Sequence, residues 1–205
     1  TSGTTGKPKG AIITENGLKK NIEAIAQYFS INNFDTILIA RPLYHCAVLT
    51  GEFLVSLFKG VNIVFIETLY DPKRIINSAY EHKITTFCGT PTLLYHISQF
   101  IKRGHHKLII KKISISGECL SNDAAKIIRD AFPDAEIYNV YGLTEAAPRI
   151  SYLPPYEFDC YPESVGISIK GVKIKIVDAE TGKELPTNNH GVVMISSPSI
   201  MKGYY

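Results

Sequence analysis

Apolar positions along the first two thirds of this chain alternate between two kinds of segment. Residues 14–29 carry apolar side chains at helical spacing, and residues 47–58 form a second apolar helix that Gly60 closes. Short apolar runs between the helices have the length of buried strands. The predicted strands are 36–40, 61–66, 84–88, 112–116 and 135–139. This alternation predicts an α/β fold, a mostly parallel sheet flanked by helices.

Three further helices have recognisable starts. Asp71-Pro72 and Thr90-Pro91 each place a capping side chain before a proline at the first helical position. Ser121 is predicted to cap a helix that continues to Phe132. These local signals agree with the helix positions that the alternation requires.

The pattern changes after about Ile150. Residues 171–177 alternate as a half-buried strand does, and 192–195 are strand-like again, with Thr181-Gly182 in a turn between them. We therefore predict an α/β unit over residues 1–150, incomplete at its N-terminus, and the start of a small β-rich unit over residues 151–205.

Composition narrows the class of protein. The net charge is +3, too small a positive charge to suggest a nucleic-acid partner. The four cysteines are far apart, so neither a zinc site nor a redox motif is predicted, and a reduced cytoplasmic setting is expected. No apolar run approaches the roughly 20 residues of a membrane span.

The chain opens on a loop with the chemistry of a phosphate grip. Its ten residues, TSGTTGKPKG, contain three glycines, four hydroxyl side chains and two lysines. Glycines let backbone N–H groups approach phosphate oxygens, and lysine adds positive charge. The loop departs from the P-loop pattern, because Thr1 replaces the first glycine, Pro8 follows Lys7, and an apolar strand-like run rather than a helix comes next. A P-loop kinase is therefore disfavoured.

This opening string resembles the signature loop of the adenylate-forming superfamily, which includes acyl-CoA synthetases, luciferases and the adenylation domains of peptide synthetases. The resemblance implies that the loop binds ATP and that Lys7 is also catalytic. The residues implied are Thr1, Ser2, Gly3, Thr4, Thr5, Gly6 and Lys7.

The segment NVYGLTE resembles the second signature of the same family. It follows a predicted strand, which is where open α/β sheets place their ligands. The resemblance implies that Tyr141 lies against adenine, that Thr144 contacts the phosphates and that Glu145 binds Mg²⁺. Asn139 and Gly142 belong to the same ATP-binding segment.

Two shorter segments resemble further family motifs. Gly117, Glu118 and Cys119 follow the strand at 112–116, as the adenine-flanking segment does. His45 follows an aromatic residue, as in acyl- and aryl-CoA synthetases, whereas amino-acid-activating domains commonly have Asp at this place. The resemblance implies that His45 lines the carboxylate pocket as a catalytic residue.

The implied activity is an AMP-forming acid–thiol ligase. A carboxylate and ATP would give acyl-AMP and pyrophosphate, and the acyl group would then pass to a thiol, with coenzyme A as the expected co-substrate. Loading of a carrier protein, adenylation of an amino acid and a nucleotide-binding module without catalysis remain alternatives. The expected substrate is an acyl or aryl carboxylic acid.

The chain stops before the ribose-binding Asp, the hinge and the C-terminal Lys of the family. We therefore expect a piece of a longer enzyme that is nearly inactive alone.

Overall fold

The computed structural model describes residues 8–67, 71–104 and 108–205. The helices are α1 (Glu15–Phe29), α2 (Cys46–Val48), a π-helix (Leu49–Leu54), α3 (Val55–Lys59), α4 (Pro72–Glu81), α5 (Pro91–Gly104), α6 (Asn122–Ala131) and two 3₁₀ turns (Thr144–Ala146 and Pro155–Glu157). The strands are β1 (Thr36–Ile39), β2 (Asn62–Phe65), β3 (Thr86–Gly89), β4 (Lys112–Ile115), β5 (Glu136–Gly142), β6 (Arg149–Tyr152), β7 (Ile167–Ser168), β8 (Lys173–Val177) and β9 (Val192–Ser196).

Seven strands form one sheet in the order β2-β1-β3-β4-β5-β6-β7. The first five are mutually parallel, as helical crossovers between consecutive strands require, and β6 and β7 add as antiparallel strands. Strands β8 and β9 form a separate antiparallel pair. The predicted fold class, a mostly parallel sheet with helices and a small β-rich unit, is confirmed.

Helices cover both faces of this sheet because the strands are apolar on both sides. One buried cluster joins α4, α5 and α6 to the strands, with Leu94, Ile113 and Ile128 fully enclosed. A second cluster joins α1 and the helices after β1, around Ile25 and Phe29. Within the described ranges no helix is long and apolar enough to cross a membrane.

The predicted helix starts are confirmed by their side-chain caps. The Asp71 carboxylate accepts hydrogen bonds from the N–H groups of Lys73 and Arg74, and Pro72 is the first residue of α4. The Ser121 hydroxyl accepts from the N–H of Ala124 at the start of α6. Each cap satisfies N–H groups that the first helical turn cannot pair.

Two local predictions differ from the structure. The apolar run after the opening loop forms a single antiparallel bridge, Ala11 to Tyr204, in place of a strand. The apolar helix predicted over 47–58 is wound as a π-helix at Leu49–Leu54, between the short α2 and α3. The π-helix buries Glu52, whose partner lies on another element.

The sheet also runs past the predicted boundary at residue 150. Strand β6 spans that position, and β7 pairs with β6 in the same sheet. The two-stranded unit begins only at β8. Strand β8 shows the predicted alternation: its side chains alternate between exposed and half-buried, and its last residue, Val177, is buried. The division of the chain into units over 1–150 and 151–205 stays a prediction.

Candidate active site

The carboxyl ends of three parallel strands carry most of the sequence-predicted site residues that the structure describes. After β1 comes the segment with His45, after β4 comes Gly117, and after β5 come Thr144 and Glu145. Parallel strands place their carboxyl ends at one edge of a sheet, and ligands bind in the crevice there. We call this the carboxyl edge. The fold therefore brings three separate sequence motifs to one side of the molecule.

A glycine is required where β5 ends. Gly142 pairs with Arg149 across an irregular register between β5 and β6. A Cβ atom at Gly142 would lie 2.2 Å from the carbonyl oxygen of Pro148, which no side chain tolerates. Gly142 thus allows the chain to fold back tightly and presents Thr144 and Glu145, both half-buried, in the 3₁₀ turn that follows.

Glu145 is held by the last residues of the chain. The Tyr204 hydroxyl donates a hydrogen bond to Glu145 Oε1 at 2.7 Å, and the N–H of Met201 donates to the Glu145 carbonyl at 2.8 Å. The hydrogen bond to Glu145 raises the pKa of the Tyr204 hydroxyl, so this group stays a donor. One carboxylate oxygen of Glu145 therefore accepts a hydrogen bond from Tyr204.

The seven opening-loop residues, Thr1 to Lys7, lie outside the described residues. The end of the same loop is described and lies beside Glu145. The Lys9 ammonium lies over the ring of Tyr204, 5.3 Å from its centroid. The N–H of Tyr205 donates to the carbonyl of Gly10 at 2.7 Å. The loop therefore enters the fold at the carboxyl edge.

The segment after β4 is exposed and turns sharply. Gly117 has φ +99°, a left-handed conformation in which a side chain is strained. Thr92 at the start of α5 donates a hydrogen bond to the Glu118 carboxylate at 2.6 Å. Cys119 is exposed. This hydrogen bond joins the start of α5, which follows β3, to the segment after β4.

The Asn139 side chain forms hydrogen bonds within the protein. Its side-chain amide is buried and donates to the carbonyl oxygens of Pro162 and Ser164, at 2.9 and 3.0 Å. These bonds fasten the loop after β6 to the sheet. Tyr141, two residues on, is half-buried and packs against the cluster that includes Ala146. ATP binding by Asn139 and Tyr141 stays a prediction.

His45 is exposed and precedes α2. Its ring lies 4.5 Å from that of Tyr44, and its carbonyl accepts from the N–H groups of Val48 and Leu49. The backbone of His45 is thereby fixed while its imidazole faces outward. The next residue, Cys46, is half-buried, and burial raises the pKa of its thiol, as Glu145 also does, whereas Thr50 and Arg149 lower it.

Three charged residues at the carboxyl edge escaped the sequence predictions. Arg41 follows β1, forms an ion pair with Glu52 of the π-helix and donates a 3.5 Å hydrogen bond to Ser116 after β4. Arg149, the first residue of β6, is also buried. An available signal was the charge itself, because Glu52 interrupts the apolar helical run and Arg149 precedes the apolar Ile150. We call Arg41, Glu52 and Arg149 the arginine cluster.

The residues present suit a hard cation shared with a ligand. In the described ranges no three His, Cys, Asp or Glu side chains form a metal-binding group. Mg²⁺ does not need such a group, since it is commonly held by one or two carboxylates together with substrate phosphates and water. Glu145 offers a carboxylate oxygen at the strand end. Its chemistry therefore fits the predicted role, which stays a prediction.

Comparison with known proteins agrees with this geometry. The 4-coumarate–CoA ligase 1 of Solanum tuberosum is 28% identical over 211 residues, covering 99% of this chain and 38% of that ligase. The o-succinylbenzoate coenzyme A synthetase of Bacillus subtilis, solved with ATP and a magnesium ion, is 27% identical and superimposes with a TM-score of 0.87, covering 100% of this chain and 41% of that one. The chain thus spans about two fifths of the length of these relatives.

A more distant structure supports the fold alone. The long-chain-fatty-acid–CoA ligase of Archaeoglobus fulgidus is 21% identical, with a TM-score of 0.88 over 98% of this chain and 42% of that one. All residues from 1 to 205 match the family model described as AMP-binding enzyme. The resemblance carried by the opening loop and by NVYGLTE is therefore confirmed, and the chain belongs to the AMP-binding enzyme family.

Proposed function

We propose that the protein activates a carboxylic acid with ATP and transfers the acyl group to the thiol of coenzyme A. In the first step a carboxylate oxygen attacks the α-phosphorus of ATP, and pyrophosphate leaves as acyl-AMP forms. In the second step the thiol sulfur attacks the acyl carbonyl, and AMP leaves. The relatives named above are CoA ligases, and one was solved with ATP and magnesium, which supports this assignment.

The observation that carries the proposal is the contact between the loop end and Glu145. Lys9, Tyr204 and Glu145 form a continuous chain of contacts at the carboxyl edge. The described end of the loop thus lies near a carboxylate, and this supports a site for a nucleotide phosphate and its cation.

The chain's own residues would orient the reactants. Thr144 would donate to a phosphate oxygen, and Lys7 would add positive charge where charge develops in the transition state. Gly117 would let the backbone approach the base, and the Tyr141 ring would lie against the base. His45 would orient the carboxylate that attacks. When bound at Glu145, Mg²⁺ would neutralise phosphate charge.

The proposed acid carries no α-amino group. His45 favours this, because it stands where amino-acid-activating domains commonly have Asp. An imidazole cannot hold a substrate ammonium as a carboxylate can. A screen that traps acyl-AMP with hydroxylamine across fatty, aromatic and amino acids tests this, and a clear preference for an α-amino acid would overturn it.

The mutation that tests the reaction is Lys7→Ala in the complete protein. Acid-dependent pyrophosphate release should slow about 100- to 1000-fold, or about 2.7–4 kcal/mol of barrier, because a positioned charge is lost. Lys20→Ala is the matched control, since Lys20 is an exposed lysine of α1 paired with Glu23. Equal rates for the Lys7 variant and the control would end the claim for Lys7. Absence of acid-dependent pyrophosphate release from the unaltered protein would end the proposed function itself.

A further inference from the structure

The arginine cluster holds two buried cations and one buried anion. Arg41 and Glu52 form an ion pair whose side chains are 7% and 1% exposed. Arg149 is 4% exposed, and within the described part of the chain no carboxylate lies within 4.0 Å of its guanidinium. The cluster therefore contains one positive charge without a close anionic partner.

The remaining contacts of Arg149 do not supply that partner. The Tyr28 hydroxyl interacts electrostatically with the guanidinium, but burial raises the pKa of this phenol, so it supplies no negative charge at pH 7. Its Nε and the second carboxylate oxygen of Glu52, Oε2, are buried with no hydrogen-bond partner among the described residues. A buried cation without a paired anion costs several kcal/mol. Such an arrangement is stabilised when a ligand brings the missing anion.

The position of Arg149 indicates which ligand this would be. Its backbone lies opposite Gly142 in the NVYGLTE segment, and its Nη2 lies against Gly51 of the π-helix. A Cβ atom at Gly51 would be 2.8 Å from that nitrogen, so a glycine is needed there for the guanidinium to take this place. Gly51 belongs to the helical segment that begins at Cys46, directly after the exposed His45. The buried guanidinium therefore lies against the segment whose start would hold the reacting carboxylate.

We propose that Arg149 is a specificity-determining residue that binds a second carboxylate, at the far end of the acyl substrate, so that the enzyme prefers dicarboxylic acids. This inference rests on the function proposed above and adds the substrate class. The guanidinium fork matches a carboxylate with two parallel hydrogen bonds, for which the unpartnered Nε is available. The depth of Arg149 favours the far carboxylate over the reacting one, which must reach ATP at the exposed edge.

The test compares acids of matched length in the complete protein. Acid-dependent pyrophosphate release gives kcat/KM for straight-chain dicarboxylic acids and for the monocarboxylic acids of the same carbon number. The unaltered enzyme should prefer the dicarboxylic member of each pair. Arg149→Met should lower that preference ratio about 10- to 100-fold, because one charge-assisted contact is lost. Arg149→Lys, which keeps the charge without the fork, should fall between the two.

Two controls separate this role from a structural one. Arg129→Met removes a different partly buried arginine, one paired with Asp159, and should leave the ratio unchanged. A purely structural Arg149 would lower kcat/KM for both acids of a pair together, and that result would overturn the inference. If Arg149→Met fails to fold, a Lys variant with an unchanged ratio overturns it equally. Activity that favours monocarboxylic acids would refute this inference alone, whereas no acid-dependent activity would refute the proposed function as well.

Discussion

Two groups of charged side chains lie at opposite edges of the parallel sheet. They differ in whether their buried polar atoms have hydrogen-bond partners and whether their charges are balanced. At the amino edge, before β1 and β3, Asp35 accepts hydrogen bonds from the Lys112 ammonium at 2.9 Å and the Thr85 hydroxyl at 2.9 Å. The N–H of Asn32 adds a third, at 3.0 Å. We call Asp35, Thr85 and Lys112 the Asp35 cluster. It pairs one anion with one cation.

The arginine cluster at the carboxyl edge is not balanced in this way. Glu52 Oε2 and Arg149 Nε are buried without a hydrogen-bond partner in the described ranges, and two cations face one anion. A polar cluster that is fully satisfied serves stability, whereas buried groups left unpaired cost stability. The comparison teaches that the polar atoms of the amino edge are paired within the protein, whereas the carboxyl edge keeps unpaired buried groups, which is consistent with the ligand site proposed there.

The largest expected effect is at Glu52. Glu52→Gln keeps the shape of the side chain but removes the buried negative charge that forms the ion pair with Arg41. We expect a loss of about 3–5 kcal/mol in the free energy of unfolding, measured by urea denaturation. The matched control is Ser56→Ala in α3. The buried Ser56 hydroxyl has no hydrogen-bond partner among the described residues, so its loss should change stability little. If the Gln variant were as stable as the control, the cluster would not be short of negative charge.

A smaller effect is expected at Asp35. Burial acts to raise the pKa of this carboxyl, but hydrogen bonds from Lys112, Asn32 and Thr85 outweigh burial, so the net pKa is lowered. A carboxyl whose pKa is lowered by folding stabilises the protein above the ordinary carboxyl pKa of about 3.9. That contribution is lost as the pH falls through the lowered pKa.

Asp35→Asn should therefore cost about 1–3 kcal/mol in the free energy of unfolding at pH 7. The difference between the Asn variant and the unaltered protein should shrink below pH 4, because the native carboxyl also loses its charge there. Urea denaturation at pH 7 and pH 3 measures both values. A difference that is the same at both pH values would mean that the Asp35 charge does not contribute.

The smallest expected effect is at Tyr204, and it should appear in metal binding. Tyr204→Phe removes the hydroxyl that donates to Glu145 Oε1 but keeps the ring beneath Lys9. A hydrogen bond that orients a metal-binding carboxylate typically contributes about 10-fold in metal affinity. Calorimetric titration of Mg²⁺ into the ATP-bound protein should show that loss, with ATP binding in the absence of metal unchanged. Equal weakening of both would indicate a general packing role.

Local sequence chemistry predicted most of the fold. Asp71, Thr90 and Ser121 cap helices because their side chains reach N–H groups two or three residues away, so sequence alone contains the signal. The buried parallel strands could also be predicted, because each one is a short apolar run in the sequence. The residues of NVYGLTE were found because the segment resembles a family signature, and its place after a predicted strand agreed with that resemblance.

What the sequence could not give depends on partners far along the chain. The π-helix buries Glu52 against Arg41, and the burial of Arg149 depends on the absence of a side chain at Gly51. Neither contact follows any period in the sequence. Strand β6 pairs antiparallel with β5 across a tight turn. The sheet therefore continues beyond the boundary predicted at residue 150. The arginine cluster was therefore invisible until distant segments were brought together.

The pairing of residues 10–12 with residues 202–205 also has a kinetic consequence. Three main-chain hydrogen bonds, at 2.7 to 2.9 Å, join segments that are about 190 residues apart. Closing so long a loop in an unfolded chain is entropically unfavourable, and contacts of this separation slow folding. No local contact stabilises the pairing of these two segments until the intervening sheet has formed. We therefore expect the contact that places Tyr204 beside Glu145 to form last. A newly made chain should then be able to bind metal only after its core has folded.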